Sequence, residues 1–140
     1  MNKLKLGVPI LLLGALILVG AGCGGRYSSP EKTLETMVEA QTQGDVDGYL
    51  NCLTSESREW FENITKVTPE GSLTPESLQK QEMDYDPLKL RVIEETGDTA
   101  VMAEEGQTVG LIFKKEKGDW KVDLIATMQQ MFKGLEEIGQ

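Results

Sequence analysis

The 140-residue sequence contains no histidine, only two cysteines and few aromatic residues. Without histidine the chain cannot form a Ser-His or Cys-His catalytic pair, and it cannot bind a metal through imidazole. The cysteines are Cys23 and Cys52. If Cys23 is modified, no intramolecular disulfide can form, so the fold must be stabilised by apolar burial. Cys52 is then expected to be a small buried side chain and not a reactive thiol.

The N-terminus has the three parts of a bacterial secretory signal. Lys3 and Lys5 form a positive n-region, residues 10–19 form an apolar stretch, and Gly20-Ala21-Gly22-Cys23 forms a small-residue cleavage site that ends in cysteine. This arrangement resembles the lipobox of bacterial lipoproteins. The resemblance implies cleavage of residues 1–22 and acylation of Cys23, and two acyl chains anchor a protein stably to a membrane.

A transmembrane helix is the alternative for this segment, but spanning a bilayer takes roughly 20 consecutive apolar residues, and Gly14 and Gly20 interrupt a shorter run. We therefore predict a lipid anchor at Cys23, a linker over residues 23–29 and one domain over residues 30–140. In lipoproteins of two-membrane bacteria, aspartate after the cysteine implies retention at the inner membrane, and here Gly24 follows it. The expected location is the outer membrane facing the periplasm, or the outer face of the plasma membrane in a one-membrane cell.

The charge of the predicted mature chain is strongly negative. Cleavage removes two of the 14 basic residues and none of the 23 acidic ones, so the net charge falls from −9 to near −11. Such a surface repels phosphate backbones and anionic lipid headgroups. Nucleic acid is therefore not an expected partner, and flat docking on a membrane is not expected either.

The first half of the mature chain has helical patterning. Ser29-Pro30 and Asp45 predict two capped helix starts, separated by a stop at Gly44. A further helical segment precedes a loop over residues 65–72, and Thr74-Pro75 predicts a short helix that runs to about Met83. The expected core of these helices consists of apolar residues at helical spacing, namely Leu34, Met37, Val38, Val46, Tyr49, Leu50, Leu53, Trp60, Phe61 and Ile64, with Gln41 in the first stripe.

After Asp86-Pro87 the apolar period changes from about 3.6 to 2, which is typical of strands. Four strands are predicted over residues 88–92, 99–104, 109–113 and 120–124, joined by turns that contain glycine. Helices followed by such a meander indicate an α+β fold, in which N-terminal helices pack against a four-stranded antiparallel sheet. Lys89, Arg91, Lys114 and Lys121 are expected on the solvent face of this sheet.

Two stretches, Thr33–Phe61 and Thr96–Leu124, contain a Gly-Asp-Val-Asp break between helices and a late Gly-Asp-Trp-Lys-Val-Asp strand. This order of elements resembles the nuclear-transport-factor-2-like superfamily, and in particular its uncharacterised bacterial lipoproteins. The resemblance implies a cone, in which a curved sheet wraps the helices and leaves a pocket at its open end, and it implies homodimers that pair through their sheets. The superfamily includes hydro-lyases, isomerases and transport adaptors, so the fold does not fix the activity.

Few residues stand out as candidates for a catalytic or binding site. Tyr49, Tyr85 and Asp123 are conceivable pocket residues by their placement, although strand alternation points Asp123 outward. No local motif assigns to this chain the catalytic aspartate that the superfamily's isomerases use. An acidic run that starts at Asp45 superficially matches a calcium loop, but Leu50 stands where that loop requires glycine. Neither a metal nor another cofactor is expected.

The C-terminus repeats apolar residues every three or four positions, which predicts a helix with a stripe of Ile125, Met128, Met131, Phe132, Leu135 and Ile138. This helix either covers the protein's own core as a lid or offers Met128, Met131, Phe132 and Leu135 to a ligand or partner. We therefore expect a non-enzymatic, membrane-anchored binding or structural module of the cell envelope, with a small apolar ligand or a protein partner. The alternative is a small acid–base enzyme of the lyase or isomerase type that uses a buried carboxylate.

Overall fold

The computed structural model of the chain describes residues 25–67, 72–81 and 86–138. The helices are α1 (Pro30–Gln43), α2 (Val46–Asn51), α3 (Ser55–Val67), α4 (Pro75–Lys80) and α5 (Leu124–Ile138). The strands are β1 (Arg91–Thr96), β2 (Thr99–Ala103), β3 (Leu111–Glu116) and β4 (Asp119–Val122). The predicted signal segment, Cys23 and Tyr85 lie outside the described residues.

The strands form one antiparallel sheet in the order β1-β2-β3-β4. The prediction of a mixed fold with helices and a four-stranded antiparallel meander is therefore confirmed. The turns at residues 97–98 and 117–118 lie at one end of the sheet, and the longer connection over residues 104–110 lies at the opposite end. We call these the hairpin end and the loop end.

The core lies between α1 and one face of the sheet. Helix α1 crosses this face and contacts both β4 and β1. Since strand side chains alternate between faces, every second residue of β2, β3 and β4 points toward the helix. The buried cluster consists of Leu34, Met37, Leu50, Cys52, Leu53, Leu90, Ala100, Met102, Leu111, Phe113, Trp120 and Val122.

The predicted caps begin and end the first helices. The Ser29 side chain accepts a hydrogen bond from the Lys32 N–H in α1, and the Asp45 carboxylate accepts one from the Gly48 N–H in α2. Gly44 ends α1 with a φ of 69°, a left-handed conformation that favours glycine. Thr74 starts α4 through a capping box, but α4 ends at Lys80, short of the end predicted near Met83.

Helix α3 buries a different face from the predicted one. Trp60 and Ile64 were expected in the core but are 37% and 43% exposed, and Phe61 is only partly buried. The fully buried side chain of this helix is Ser57, whose hydroxyl accepts a hydrogen bond of 3.0 Å from the first N–H of α5. Helix α3 is therefore bonded to α5 through its polar first turn, and Trp60 and Ile64 are partly exposed to solvent.

Two element boundaries also differ from the prediction. Strand β1 begins at Arg91 and not at Leu88, because Pro87 opens a single 3-10 turn in which the Asp86 carboxylate accepts from the Leu88 N–H. Leu88 is accordingly 83% exposed. Helix α3 continues to Val67, where a loop was predicted from residue 65 onward.

The expected faces of β3 and β4 need two corrections. Lys89, Arg91 and Lys114 are exposed as predicted, whereas Lys121 is half-buried. Val109, which was predicted to begin the third strand, precedes β3 and is 38% exposed.

The outer edge of β4 is covered by main chain from earlier in the sequence. The Tyr27 carbonyl accepts from the Trp120 N–H at 2.8 Å, and the Cys52 carbonyl accepts from the Val122 N–H at 2.7 Å. The Thr54 N–H donates to the Val122 carbonyl at 2.9 Å. The Tyr27 ring also packs against the core, a contact that the sequence analysis did not predict for the linker.

Strand β4 ends at Val122 and does not continue to Leu124 as predicted. The cause is Asp123, whose carboxylate accepts from the Ala126 N–H at 2.9 Å and thereby caps α5. The expectation that Asp123 points outward from a strand is therefore wrong. The predicted C-terminal helix is present and starts immediately after this cap.

Beyond the end of β4, helix α5 lies beside the start of β3 and bonds to the backbone there. The Thr127 hydroxyl accepts from the Ile112 N–H at 3.0 Å, and the Gln130 side-chain oxygen accepts from the Gly110 N–H at 3.3 Å. These two side chains satisfy backbone donors that a four-residue strand is too short to reach. The sheet thus continues into a helix without leaving the start of β3 unpaired.

Strand β1 forms the other edge of the sheet. Its side chains are mostly exposed, and its register with β2 shifts between Val92 and Glu94, which leaves Ile93 in a bulge. Glu94 and Glu95 follow the bulge and are exposed. Within the described residues, no segment pairs with the outer side of this strand.

Thr33 joins α1 to the sheet, which leads to a testable prediction. Its buried hydroxyl donates to the Trp120 carbonyl at 2.7 Å. Thr33→Val keeps the side-chain shape but leaves that carbonyl without its partner, so we expect a loss of about 1–3 kcal/mol in the free energy of unfolding. Urea titration followed by circular dichroism measures this loss. The matched control is Thr42→Val, at an exposed threonine of the same helix, and equal losses for both variants would contradict the prediction.

Candidate functional site

A cavity of about 450 Å³ lies at the loop end of the sheet. Helices α1, α2 and α5 contribute to its wall, together with the connection between β2 and β3 and the residue that precedes β1. Its apolar lining consists of Met37, Leu90, Ala103, Val109, Leu111, Leu124 and Met131. The polar lining is formed by Gln41, Tyr49, Gln81, Glu104 and Gln107.

Local sequence explains how these side chains reach one space. Met37 and Gln41 are four residues apart on α1, so they lie on the same face of the helix. At Gly110 the 104–110 connection lies directly against β2. A Cβ at this position would overlap the Met102 carbonyl oxygen. Glycine is thus required where the cavity wall turns into β3.

Two polar side chains of the lining, those of Gln41 and Tyr49, have a defined orientation or charge state. The buried Gln41 amide donates to the Gln81 carbonyl at 2.6 Å, which fixes the orientation of its side chain. Burial raises the pKa of Tyr49, and the nearby Cys52 thiol adds a smaller effect in the same direction. The phenol is therefore uncharged at neutral pH. Glu104, which is half-buried, is the one acidic side chain in this lining.

The described residues contain no buried carboxylate. Their buried polar side chains belong to Thr33, Gln41, Thr54, Ser57 and Thr127, and each buried nitrogen or oxygen among them has a hydrogen-bond partner. In the same part of the chain, no group of three or more cysteine, aspartate or glutamate side chains is arranged to hold a metal ion.

Cys52 takes the buried position that its sequence context predicted. The side chain is fully buried at the end of α2, and its thiol donates to the Gly48 carbonyl at 3.3 Å. Burial raises the pKa of the Cys52 thiol to about 11, while Lys121 and Arg26 act weakly in the opposite direction. Since the thiolate is the reactive form, this cysteine serves as a core side chain.

The predicted pocket residues have different fates. Tyr49 lines the cavity, whereas Asp123 caps α5 and Tyr85 lies outside the described residues. Met37 was predicted in the core and not in a site, and the connection between β2 and β3 was predicted only as a turn, with no part in a site. The one available signal was Gln41, a polar residue within the apolar stripe of α1.

The apolar stripe of α5 divides between the cavity and solvent. Met131 contributes to the cavity wall although it is 50% exposed, and Met128 is half-buried. Phe132 and Leu135 are 66% and 64% exposed. The Ile138 side chain lies outside the described residues. The use of this stripe by a protein partner, and the homodimer, stay predictions.

Comparison with known proteins identifies no relative. No protein-family model matches the chain, no curated protein matches it, and no solved structure matches it. Among the helices of the described residues, none combines the length and apolar character needed to cross a membrane.

Proposed function

We propose that this protein is a lipid-anchored envelope lipoprotein whose domain binds a small, mainly apolar and uncharged molecule in the cavity at the loop end. The cavity is the observation that carries the proposal. Its volume of about 450 Å³ falls within the range of about 300–1,000 Å³ that is usual for small-molecule sites. An apolar wall with a few fixed polar groups is the common composition of such sites.

We also propose that the domain has the cone architecture of the nuclear-transport-factor-2-like superfamily. An antiparallel four-stranded sheet with helices against one face supports this assignment. The position of the cavity, at one end of the sheet and between the sheet and the helices, agrees with the pocket that the resemblance implies. The late Gly-Asp-Trp strand is β4, and its tryptophan is buried in the core.

The lining favours one class of ligand. Met37 and Met131 are adaptable apolar side chains that fit irregular shapes, while Tyr49 supplies a neutral hydroxyl near the cavity floor. Glu104 repels anions, and the described lining offers no basic side chain to bind them. The proposed ligand is therefore an uncharged molecule with an aliphatic or aromatic body and a single hydrogen-bonding group.

A binding role is supported over the acid–base alternative by the chemistry of this lining. General acid–base catalysis requires a titratable group positioned at the reacting atoms, with a pKa tuned by burial or by neighbours. Glu104 is half-buried at the 104–110 connection, and the buried polar side chains of the described residues are uncharged. We therefore propose a non-enzymatic function.

Filling the cavity tests the proposal. Val109 lies in the cavity wall and is 38% exposed, so Val109→Trp places an indole in the binding space without disturbing the buried core. We expect native mass spectrometry of the detergent-extracted wild-type protein to detect a retained small molecule, and we expect Val109→Trp to lose it. The matched control is Val67→Trp on α3, at a valine that is 82% exposed and outside the cavity.

A second measurement detects binding in the cavity even when the natural ligand is lost during purification. Methyl NMR of methionine-labelled protein, titrated with 2-naphthol as an uncharged probe, should give saturable shifts at Met37 and Met131. The shifts should be weakened at least tenfold in Val109→Trp and retained in Val67→Trp. If the wild-type protein retains no molecule and neither methyl responds saturably, the binding function is wrong.

A further inference from the structure

The β3–β4 hairpin is basic although the chain is strongly acidic. Residues 114–121 contain four lysines against two acidic residues, in a chain whose net charge is −9. Lys114, Lys115 and Lys117 are exposed. The ion pairs of the described residues join Lys32 to Glu35, Arg58 to Glu62 and Lys89 to Asp86, so none of them uses a hairpin lysine.

The two acidic residues of the hairpin balance part of this charge, and both act electrostatically on Lys121, which leaves a local excess of two positive charges. The Glu116 carboxylate accepts hydrogen bonds from the Ser55 N–H and hydroxyl at 2.9 and 2.8 Å, so it is directed toward α3. Asp119 is exposed beside the turn. Lys114 and Lys121 are directly opposite each other in the ladder, and the Lys121 ammonium is turned toward α2, where it donates to the Asn51 carbonyl at 2.6 Å.

The backbone presents one of these lysines at the tip of the hairpin. Lys117 has a φ of 51°, and it is the described non-glycine residue with a positive φ. Turns of this kind favour asparagine, aspartate or glycine at such a position. A lysine therefore occupies the tip of the hairpin, although the backbone conformation at that position favours other residue types.

The predicted anchor lies close to this hairpin. The Tyr27 carbonyl is bonded to β4 at Trp120, and the Lys121 ammonium lies 3.4 Å from the centre of the Tyr27 ring. Cys23 precedes Tyr27 by four residues, which span at most about 14 Å of extended chain. Arg26, which is exposed, adds a further positive charge between them.

We propose that the basic end of the β3–β4 hairpin, with Lys117 at its tip, Lys114 and Lys115 on its two faces and Arg26 on the preceding segment, binds the anionic headgroups of the membrane in which Cys23 is anchored. This inference rests on the acylation of Cys23 that we proposed above. The overall negative charge opposes docking of the whole domain, but the local positive charge lies beside the anchor, and surface electrostatics acts over about one Debye length of ~8–10 Å. Acidic residues lie at the same end: Glu94 and Glu95 are on the edge strand β1, whereas the Asp98 carbonyl accepts from the Lys115 N–H at 2.7 Å, so Asp98 borders the basic residues.

This contact orients the domain. The hairpin end of the sheet faces the bilayer, so the loop end faces away from it. Five residues of β3 and the preceding connection separate Lys115 from Gly110, and strands rise about 3.4 Å per residue. The cavity wall at Gly110 therefore lies about 17 Å further from the headgroups, and its ligand arrives from the aqueous side.

Lysine labelling on vesicles tests this surface in the unaltered protein. Acylated full-length protein is reconstituted into vesicles of phosphatidylcholine alone, or of phosphatidylcholine mixed with phosphatidylglycerol, and treated with an amine-reactive reagent. In the anionic vesicles at low salt, labelling of Lys114, Lys115 and Lys117 should slow about fivefold. The exposed lysines Lys66, Lys80 and Lys89 are internal controls whose labelling should not change, and high salt should abolish the protection.

Charge variants supply an independent measurement. The triple variant Lys114→Gln, Lys115→Gln, Lys117→Gln should lose at least tenfold of the preference for anionic over neutral vesicles in a vesicle-transfer assay. The triple variant Lys66→Gln, Lys80→Gln, Lys89→Gln removes the same charge and should keep that preference. Equal protection of both lysine sets, or equal transfer of both variants, overturns the proposal.

Mass analysis of the N-terminal peptide separates the headgroup contact from the proposed lipid anchor. An unacylated peptide refutes the anchor, whereas an acylated protein without lysine protection refutes only the headgroup contact.

Discussion

Cys23→Ser is expected to abolish both acylation and removal of the N-terminal segment. The lipoprotein resemblance implies that the Cys23 thiol is acylated and that the chain is cut before it, and serine has no thiol to acylate. The variant should accumulate as the intact 140-residue chain of 15.4 kDa, whereas the wild-type protein should begin at Cys23 and carry the mass of its acyl chains. Intact-mass spectrometry and sequencing of the N-terminal peptide measure the difference.

The second cysteine provides the control for this experiment. Cys52→Ser alters a buried core side chain but leaves the cleavage site intact, so its product should be acylated and shortened like the wild type. A Cys23→Ser chain that is still shortened to the mature size, and that still sediments completely with membranes, would refute the lipid anchor. Binding in the cavity would then have to be considered for a protein in another location.

Phe113→Ala should cause a large loss of stability. Phe113 is fully buried at the centre of β3 and belongs to the core cluster. Truncation of a buried phenylalanine removes its apolar contacts and leaves a cavity, which costs about 3–5 kcal/mol. Domains of this size have total stabilities of about 5–15 kcal/mol, so the variant should unfold at a much lower urea concentration.

A matched control is available on the last helix. Phe132→Ala removes the same atoms from a side chain that is 66% exposed, so we expect a change below about 1 kcal/mol in the free energy of unfolding. Comparable losses in the two variants would mean that Phe132 is buried in the folded protein. That result would favour the lid interpretation of α5 over an exposed stripe.

The sequence predicted best those elements that local interactions determine. Ser29, Gly44 and Asp45 act on backbone groups within a few residues, so the limits of α1 and the start of α2 could be predicted before the fold was known. The orientation of α3 could not, because its apolar stripe at Trp60 and Ile64 satisfies the same spacing rule whether it faces the core or solvent. The partner for the buried face of α3 is the start of α5, which is 67 residues away from Ser57.

The end of β4 shows how two local rules compete. Residues 120–124 alternate like a strand, yet Asp123 is also a good helix cap, and the sequence around it is compatible with either structure. The helix forms where Thr127 and Gln130 can satisfy the Ile112 and Gly110 N–H groups. That requirement comes from the length of a neighbouring strand, so it cannot be derived from residues 120–124 alone.

The candidate site was only partly predictable for a related reason. Tyr49 could be named from its placement on the second predicted helix, although no motif assigned it a role. The remaining wall depends on the path of residues 104–110, and the path of a connection depends on close contacts such as that of Gly110 with β2. A sequence pattern indicates where such a connection begins and ends, but not which side of the sheet it follows.

The bulged, acidic edge at β1 has a consequence for the lipid-anchored state that we propose. Anchored molecules diffuse in two dimensions and meet one another far more often than they would in solution. Unprotected strand edges under such crowding template intermolecular sheets that grow into aggregates. The bulge at Ile93 interrupts the regular hydrogen-bonding pattern of this edge, and Glu94 and Glu95 repel the same edge of a second copy. Closely spaced copies of the domain should therefore remain dispersed.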